Sequence, residues 1–107
     1  MEQIKPKEFT LCPKFEKAFS ILGKKWSGLI LDVLLEEGAQ RFVELAKKIP
    51  DVSDRVLVER LRELEREGIV CKVDNQYQLT EKGIDLEQSL IAVKSWGEKW
   101  ITSGECH

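Results

Sequence analysis

Hydrophobic residues recur every three or four positions over several stretches of the chain, which is the spacing of amphipathic α-helices. The spacing predicts a first helix over residues 14–22, because Pro13 favours a first helical turn and Gly23 favours a helix end. It predicts a second helix over residues 24–36, which Gly38 ends. The core face of the second helix is expected to carry Trp26, Leu29, Ile30, Val33 and Leu34.

A tight turn separates the next two helical stretches. Residues 42–49 have helical spacing, and Pro50 closes this third helix because proline cannot continue it. Ser53 is a good N-cap, so a fourth helix is expected over residues 53–67, with Gly68 as its stop. Its inward stripe is predicted to consist of Leu57, Leu61 and Leu64, with Val56 beside them.

After the fourth predicted helix, the hydrophobic residues no longer follow helical spacing. Residues 69–73 and 77–80 are short β-prone runs separated by the polar sequence DNQ, which is typical of a small hairpin. Thr80 then caps a final predicted helix over residues 81–101. The apolar stripe of this helix consists of Leu86, Leu90, Val93, Trp96 and Trp100.

The order helix, helix, helix, turn, helix, hairpin, helix is typical of a winged helix-turn-helix, a mainly α fold with a small β-hairpin as its wing. A plain helical bundle with an incidental hairpin is the alternative. At 107 residues the chain is expected to form a single domain. It contains no membrane-spanning run or signal-peptide pattern, and its odd number of cysteines favours free thiols, so a cytoplasmic location is expected.

Charge restricts where a nucleic acid could bind. The chain has 17 basic and 19 acidic residues, so any DNA-binding surface has to be local. In a helix-turn-helix the outward face of the second helix meets base edges in the major groove. Arg55 is the best candidate for such a contact, because arginine can bond two acceptors of guanine at once. Asp54 and Glu59 can only accept hydrogen bonds. A solvated face held by Glu–Arg pairs is the alternative. The candidates on this helix are Ser53, Asp54, Arg55, Val58, Glu59 and Arg62, and the candidate phosphate contacts elsewhere are Lys24, Lys25, Arg41, Lys47, Lys48 and Lys72.

Cys12 precedes Pro13 at the start of the first predicted helix, with Lys14 and Lys17 close in sequence. Exposed backbone amides and nearby cations stabilise a thiolate, which is the reactive form of cysteine. The alternative is a small buried apolar residue.

Enzyme activity has little support, because the only histidine is His107 and the chain has no metal-ligand spacing and no glycine-rich phosphate loop, so no cofactor or metal is expected.

Several motifs together resemble the HxlR-type winged-helix regulators, also called the MarR/DUF24 group. They are CPKFEKAFSILGKKW, the pair Arg41 and Phe42, IPDVSDRVLVERLRELEREGIV, YQLTEKG and a closing WGEKW, and they extend over about residues 12–100. The resemblance implies a cytoplasmic homodimer that binds the double-stranded DNA of a palindromic operator, usually as a repressor. It also implies that the first and last helices form the dimer interface, through Phe15, Phe19, Leu86, Leu90, Val93, Trp96 and Trp100.

The first motif is similar to the branch of the family that senses quinones and other thiol-reactive electrophiles through an N-terminal cysteine. The resemblance therefore implies that Cys12 is the sensing thiol and that Cys106 resolves its oxidised form, whereas Cys71 has no assigned role. Relatives commonly carry a longer, basic wing, but here the wing is shortened and contains Asp74. A winged-helix protein-interaction module with weak or lost DNA binding is therefore the alternative function.

Overall fold

The structure, a computed structural model, describes residues 8–102, and these residues form six helices and a two-stranded antiparallel sheet. This is the predicted architecture, mainly α with a β-hairpin. The elements are α1 (Pro13–Leu22), α2 (Ser27–Glu37), α3 (Phe42–Lys48), α4 (Asp54–Arg66), β1 (Val70–Val73), β2 (Gln76–Leu79), α5 (Glu81–Ile84) and α6 (Glu87–Trp100).

The start of α2 differs from the prediction. Trp26 has a φ of 83° and occupies the left-handed region, so the chain turns there and the helix begins at Ser27 rather than at Lys24. Bulky residues rarely adopt this conformation, and the sequence around Trp26 contains no signal for it. The Nζ atom of Lys25 lies 4.9 Å from the centroid of the Trp26 ring, a cation–π contact within the turn.

The hydrophobic core lies where α2, α3, α4 and the hairpin meet. The predicted inward stripe of α4 is confirmed, because Leu57, Leu61 and Leu64 are all buried. The predicted core face of α2 is wrong in one position: Leu29 is 52% exposed, and Leu31 is buried instead. The buried core consists of Ile30, Leu31, Leu34, Leu45, Ile49, Val52, Leu57, Leu61, Leu64, Ile69, Val70 and Tyr77.

The turn between α3 and α4 is fixed by a helix cap and a buried anchor. The Ser53 hydroxyl accepts a hydrogen bond from the Val56 backbone N–H at 3.2 Å, so the predicted N-cap is confirmed. Val52, one residue earlier, is buried in the core. The cap and the buried side chain together set the direction in which α4 leaves the turn.

The wing is a tight hairpin. Asp74 and Asn75 have φ values of 51° and 64°, which are typical of a two-residue turn, so β2 starts at Gln76, inside the predicted loop. A backbone bridge that the sequence did not indicate extends this sheet. The Gln40 N–H donates to the Tyr77 carbonyl at 2.9 Å, and the Tyr77 N–H donates back at 2.7 Å.

The final helix predicted over residues 81–101 is interrupted, so the prediction of one continuous helix is wrong. Thr80 caps the short helix α5, and Gly83 packs so closely against the Ile69 carbonyl that a Cβ atom there would overlap it. The Leu86 N–H bonds the Gly83 carbonyl at 3.1 Å, and α6 begins one residue later. The break therefore coincides with Gly83, a glycine inside the predicted helix whose packing against Ile69 the sequence pattern does not show.

Candidate nucleic-acid interface and thiol site

The outward face of α4 is an exposed surface on the helix-turn-helix. Because the leucine stripe of α4 points into the core, Arg55, Glu59 and Arg62 project from the opposite side and are exposed. Val58 is half-buried at the edge of this face. The predicted set Ser53, Asp54, Arg55, Val58, Glu59 and Arg62 therefore lies along one accessible helix and its cap.

The arginines of this face have no partner in the described chain. Within residues 8–102, the guanidinium groups of Arg55 and Arg62 form no hydrogen bond and no ion pair. The carboxylate of Glu59 lies 3.8 Å from the Nη1 atom of Arg60, which offsets its negative charge. The alternative of a face neutralised by Glu–Arg pairs therefore does not describe Arg55 and Arg62, whose guanidinium groups are available to an external anion.

The side of α4 next to this face is fixed to the N-terminal part of the chain. Glu63 accepts a hydrogen bond from Lys24 at 3.0 Å, and this bond holds the pKa of the Glu63 carboxyl below its ordinary value of 4.5. Glu67 pairs with Lys17 of α1 at 3.1 Å. Arg60 also donates from Nε to the Lys25 carbonyl at 3.1 Å.

Sequence reasoning missed this anchoring side, although the spacing of Arg60, Glu63 and Glu67 places them on one side of the helix. Lys24, predicted to contact DNA, is instead engaged with Glu63 in the unbound protein. A contact between Lys24 and a phosphate would have to compete with this ion pair.

The other candidate phosphate contacts are exposed and lie on separate elements. Lys25 lies in the turn before α2, Lys72 lies on β1 with its Nζ atom 5.2 Å from the Tyr77 ring, and Arg41 is the N-cap of α3. The Arg41 backbone N–H donates to Glu44 at 2.7 Å, and this bond is the main reason that the pKa of Glu44 is lowered.

Cys12 is the exposed N-cap residue of α1. Its exposure argues against the alternative of a buried apolar residue. The thiol lies in an apolar groove of about 450 Å³, and Glu16 is the charged residue of that groove. Lys17 is turned toward Glu67, so the expected cluster of lysines around the thiol is not formed by that residue. The apolar lining consists of Phe9, Leu11, Phe15 and Phe19.

The other two cysteines differ in what the structure describes. Cys71 is half-buried on β1, where it pairs in register with Gln78. Cys106, the predicted resolving cysteine, lies outside the described residues.

The two helices predicted to form a dimer interface contain no residue that is buried in the described chain. Leu86 and Leu90 pack against the core of the same chain. The rest of the predicted set remains open, with exposed fractions of 64% for Phe15, 59% for Phe19, 67% for Val93, 61% for Trp96 and 62% for Trp100. The predicted apolar stripe of the last helix is therefore divided. Leu86 and Leu90 pack against the core of the same chain, whereas Val93, Trp96 and Trp100 are exposed.

Across residues 8–102, no group of three or more histidine, cysteine, aspartate or glutamate side chains is arranged to hold a metal ion. The same part of the chain contains no helix long and apolar enough to cross a membrane.

A helix-turn-helix whose second helix is exposed and is followed directly by a hairpin defines the winged-helix class. The chain belongs to the HxlR-like helix-turn-helix family, which matches residues 21–105. It is 42% identical over 103 residues to the HTH-type transcriptional regulator YodB of Bacillus subtilis (strain 168), covering 90% of this chain and 91% of YodB.

Solved structures of the family have the same fold. The crystal structure of quinone-bound YodB from B. subtilis matches with a TM-score of 0.78 and 45% identity, covering 83% of this chain and 100% of that chain. The redox regulator HypR in its reduced form matches with a TM-score of 0.72 and 34% identity, covering 80% of this chain and 91% of that chain.

Proposed function

We propose that this chain is a sequence-specific, DNA-binding transcriptional regulator that acts as a homodimeric repressor in the cytoplasm and responds to thiol-reactive electrophiles. The observation that carries the DNA-binding part is the outward face of α4, where Arg55 and Arg62 are exposed and without partners in the described chain. Its relative YodB is a transcriptional regulator, which supports the same class of function.

In the proposed complex, the N-terminal half of α4 enters the major groove. Arg55 bonds O6 and N7 of a guanine, a contact that discriminates against other bases by about 1–3 kcal/mol. Ser53 and Arg62 contact phosphates, whereas Asp54 and Glu59 can accept a hydrogen bond from a cytosine amino group. The acidic hairpin tip contributes little to this binding.

The proposed dimer joins α1 and α6 of one chain to the same helices of a second chain. Five large apolar side chains on these helices are about 60% exposed or more, and exposed apolar surface of this extent is typical of an interface. A two-fold axis would place the two copies of α4 about one DNA turn, roughly 34 Å, apart. The operator is therefore expected to be palindromic.

The proposed sensor is the exposed thiol of Cys12. Its thiolate sulfur would add to a ring carbon of a quinone, forming a C–S bond while the electron pair moves to the quinone oxygen, which takes up a proton. A structure of YodB with bound quinone and a redox regulator among the relatives support this chemistry. When a peroxide oxidises Cys12 to a sulfenic acid instead, the Cys106 thiol is proposed to attack the Cys12 sulfur, which forms a disulfide and releases water.

The connection from the thiol to DNA is proposed to run through α1. Lys17 of α1 pairs with Glu67 at the C-terminal cap of α4. A displacement of α1 caused by modification of Cys12 would therefore reach the orientation of α4. The two reading helices would lose their common spacing, and the operator would be released.

The test is selection of DNA fragments by the purified protein, followed by fluorescence anisotropy on the selected sequence. We expect a palindrome with half-sites about 10 base pairs apart, bound by both the wild type and Cys12→Ser. Benzoquinone should weaken DNA binding by the wild type and by Cys71→Ser, and it should leave DNA binding by Cys12→Ser unchanged. An equal loss of binding in Cys12→Ser would exclude this thiol as the sensor.

The alternative function, a protein-interaction module, is favoured by the net charge of -2 and by the exposed Asp74 at the wing tip. Under that alternative, no sequence is enriched in the selection. Any residual DNA binding would also be weak and independent of sequence.

A further inference from the structure

A second groove lies beneath α1, apart from the groove that contains Cys12. Its volume is about 710 Å³, within the range of about 300–1,000 Å³ that is typical of small-molecule sites. Ile21 and Leu22 of α1 form one apolar side, while Ile69 and Leu86 form the other. Ile69 is buried, and the other three side chains are partly exposed. The groove therefore offers an apolar floor in direct contact with solvent.

The charges around this groove are mainly positive. Lys14, Lys17 and Lys82 line it together with a single carboxylate, that of Glu67. The carboxylate is already paired with Lys17 at 3.1 Å, and Lys82 donates to the Glu67 backbone carbonyl at 2.6 Å. The side-chain ammonium group of Lys14 forms no hydrogen bond or ion pair within residues 8–102. An uncompensated cation therefore lies beside an apolar floor.

We propose that this groove binds an amphipathic organic anion, with an apolar body and one carboxylate. The apolar body would cover Ile69 and Leu86, and the carboxylate would pair with Lys14. The charge around the groove selects an anion over a neutral or cationic apolar molecule. Because Cys12 does not line the groove, the site needs no reactive thiol and takes a class of ligand distinct from electrophiles.

Binding in this groove is expected to act on α4. Lys17 lies three residues from Lys14 on α1, lines the groove and pairs with Glu67 at the end of α4. A carboxylate held by Lys14 would therefore also attract Lys17 away from Glu67 and weaken the connection between α1 and α4. This consequence rests on the proposed function, whereas ligand binding itself does not. Since coupling between two ligands is reciprocal, DNA should weaken anion binding by the same factor as the anion weakens DNA binding.

The test is isothermal titration of the full chain with decanoate under reducing conditions. Lys14→Glu should weaken binding at least tenfold, and Ala18→Trp, which fills the groove, should abolish it. Lys47→Glu is the matched control, because Lys47 is an exposed lysine of α3 that does not line the groove. Cys12→Ser should bind decanoate like the wild type. The neutral alcohol 1-decanol should bind at least tenfold more weakly than decanoate.

The proposal is overturned if the wild type does not bind decanoate. It is also overturned if Lys14→Glu binds decanoate, and the wild type binds 1-decanol, as tightly as the wild type binds decanoate. It is also overturned if decanoate binds only at protein concentrations at which the chain is monomeric, because a second copy would then be the occupant of the groove. Saturable decanoate binding by a chain that binds no DNA would leave this site standing and refute the proposed function.

Discussion

Replacing Trp96 with alanine should weaken the proposed homodimer without unfolding the chain. Trp96 is 61% exposed, and no residue of α6 is buried, so the substitution removes little from the core of one chain. A tryptophan side chain presents up to about 250 Å², so about 150 Å² is open to solvent in each chain. At about 25 cal/mol per Å², covering this area in both chains would contribute roughly 7.5 kcal/mol.

That value is an upper limit, because the alanine retains some contact and a partner covers only part of the exposed ring. With half of the area covered, about 4 kcal/mol remains, so the dimer dissociation constant should rise at least about 100-fold. Analytical ultracentrifugation over a range of protein concentrations measures this constant. Val73→Ala is the control, because Val73 is 46% exposed on β1, away from both helices. Unchanged association of Trp96→Ala would refute the assignment of α6 to the interface.

Three further predictions concern stability and are measured by urea unfolding. Ser53→Ala should lower the free energy of unfolding by about 1 kcal/mol through loss of the α4 cap, and Ser53→Asp should restore it; equal stability of all three proteins would contradict the capping role. Gly83→Ala should cost about 1–3 kcal/mol, because its Cβ atom would overlap the Ile69 carbonyl, and a neutral effect would contradict this packing. Glu63→Gln should cost about 0.5 kcal/mol at pH 7, because the carboxylate pairs with Lys24. Since the pKa of Glu63 is lowered, this contribution is present above pH 4.5 and is lost as the pH falls through the lowered value, so an equal effect at pH 7 and at pH 3 would contradict it.

The parts of the fold that depend on local pattern could be predicted from the sequence. The leucine stripe of α4 has strict helical spacing, and Ser53 is followed by a helical run, so both the buried face and the cap were predicted. Once the inward face of α4 is known, its outward face follows by geometry. For this reason Arg55 and Arg62 could be named before the structure was known.

The parts that depend on contacts between distant elements could not be predicted. No local sequence signal marks the left-handed conformation of Trp26. The break between α5 and α6 depends on the close packing of Gly83 against Ile69, which a glycine inside a helical pattern does not reveal. The bridge between Gln40 and Tyr77 joins residues far apart in sequence. The ion pair between Lys17 and Glu67 also spans the fold, and it directs toward α4 a lysine that the sequence placed beside Cys12.

The central claim is that the outward face of α4 binds a DNA groove, and the salt dependence of operator affinity tests it most directly. Fluorescence anisotropy should show that the Arg62→Ala variant has a less steep fall of log K with log salt. The magnitude of the slope should decrease by about 1 for each chain, because each chain loses one phosphate contact. Arg55→Ala should lose about 1–3 kcal/mol on the operator alone, and Arg55→Lys should keep the slope but lose the base preference. A slope and an operator affinity unchanged in all three variants would show that DNA, if it binds, does so elsewhere on the protein.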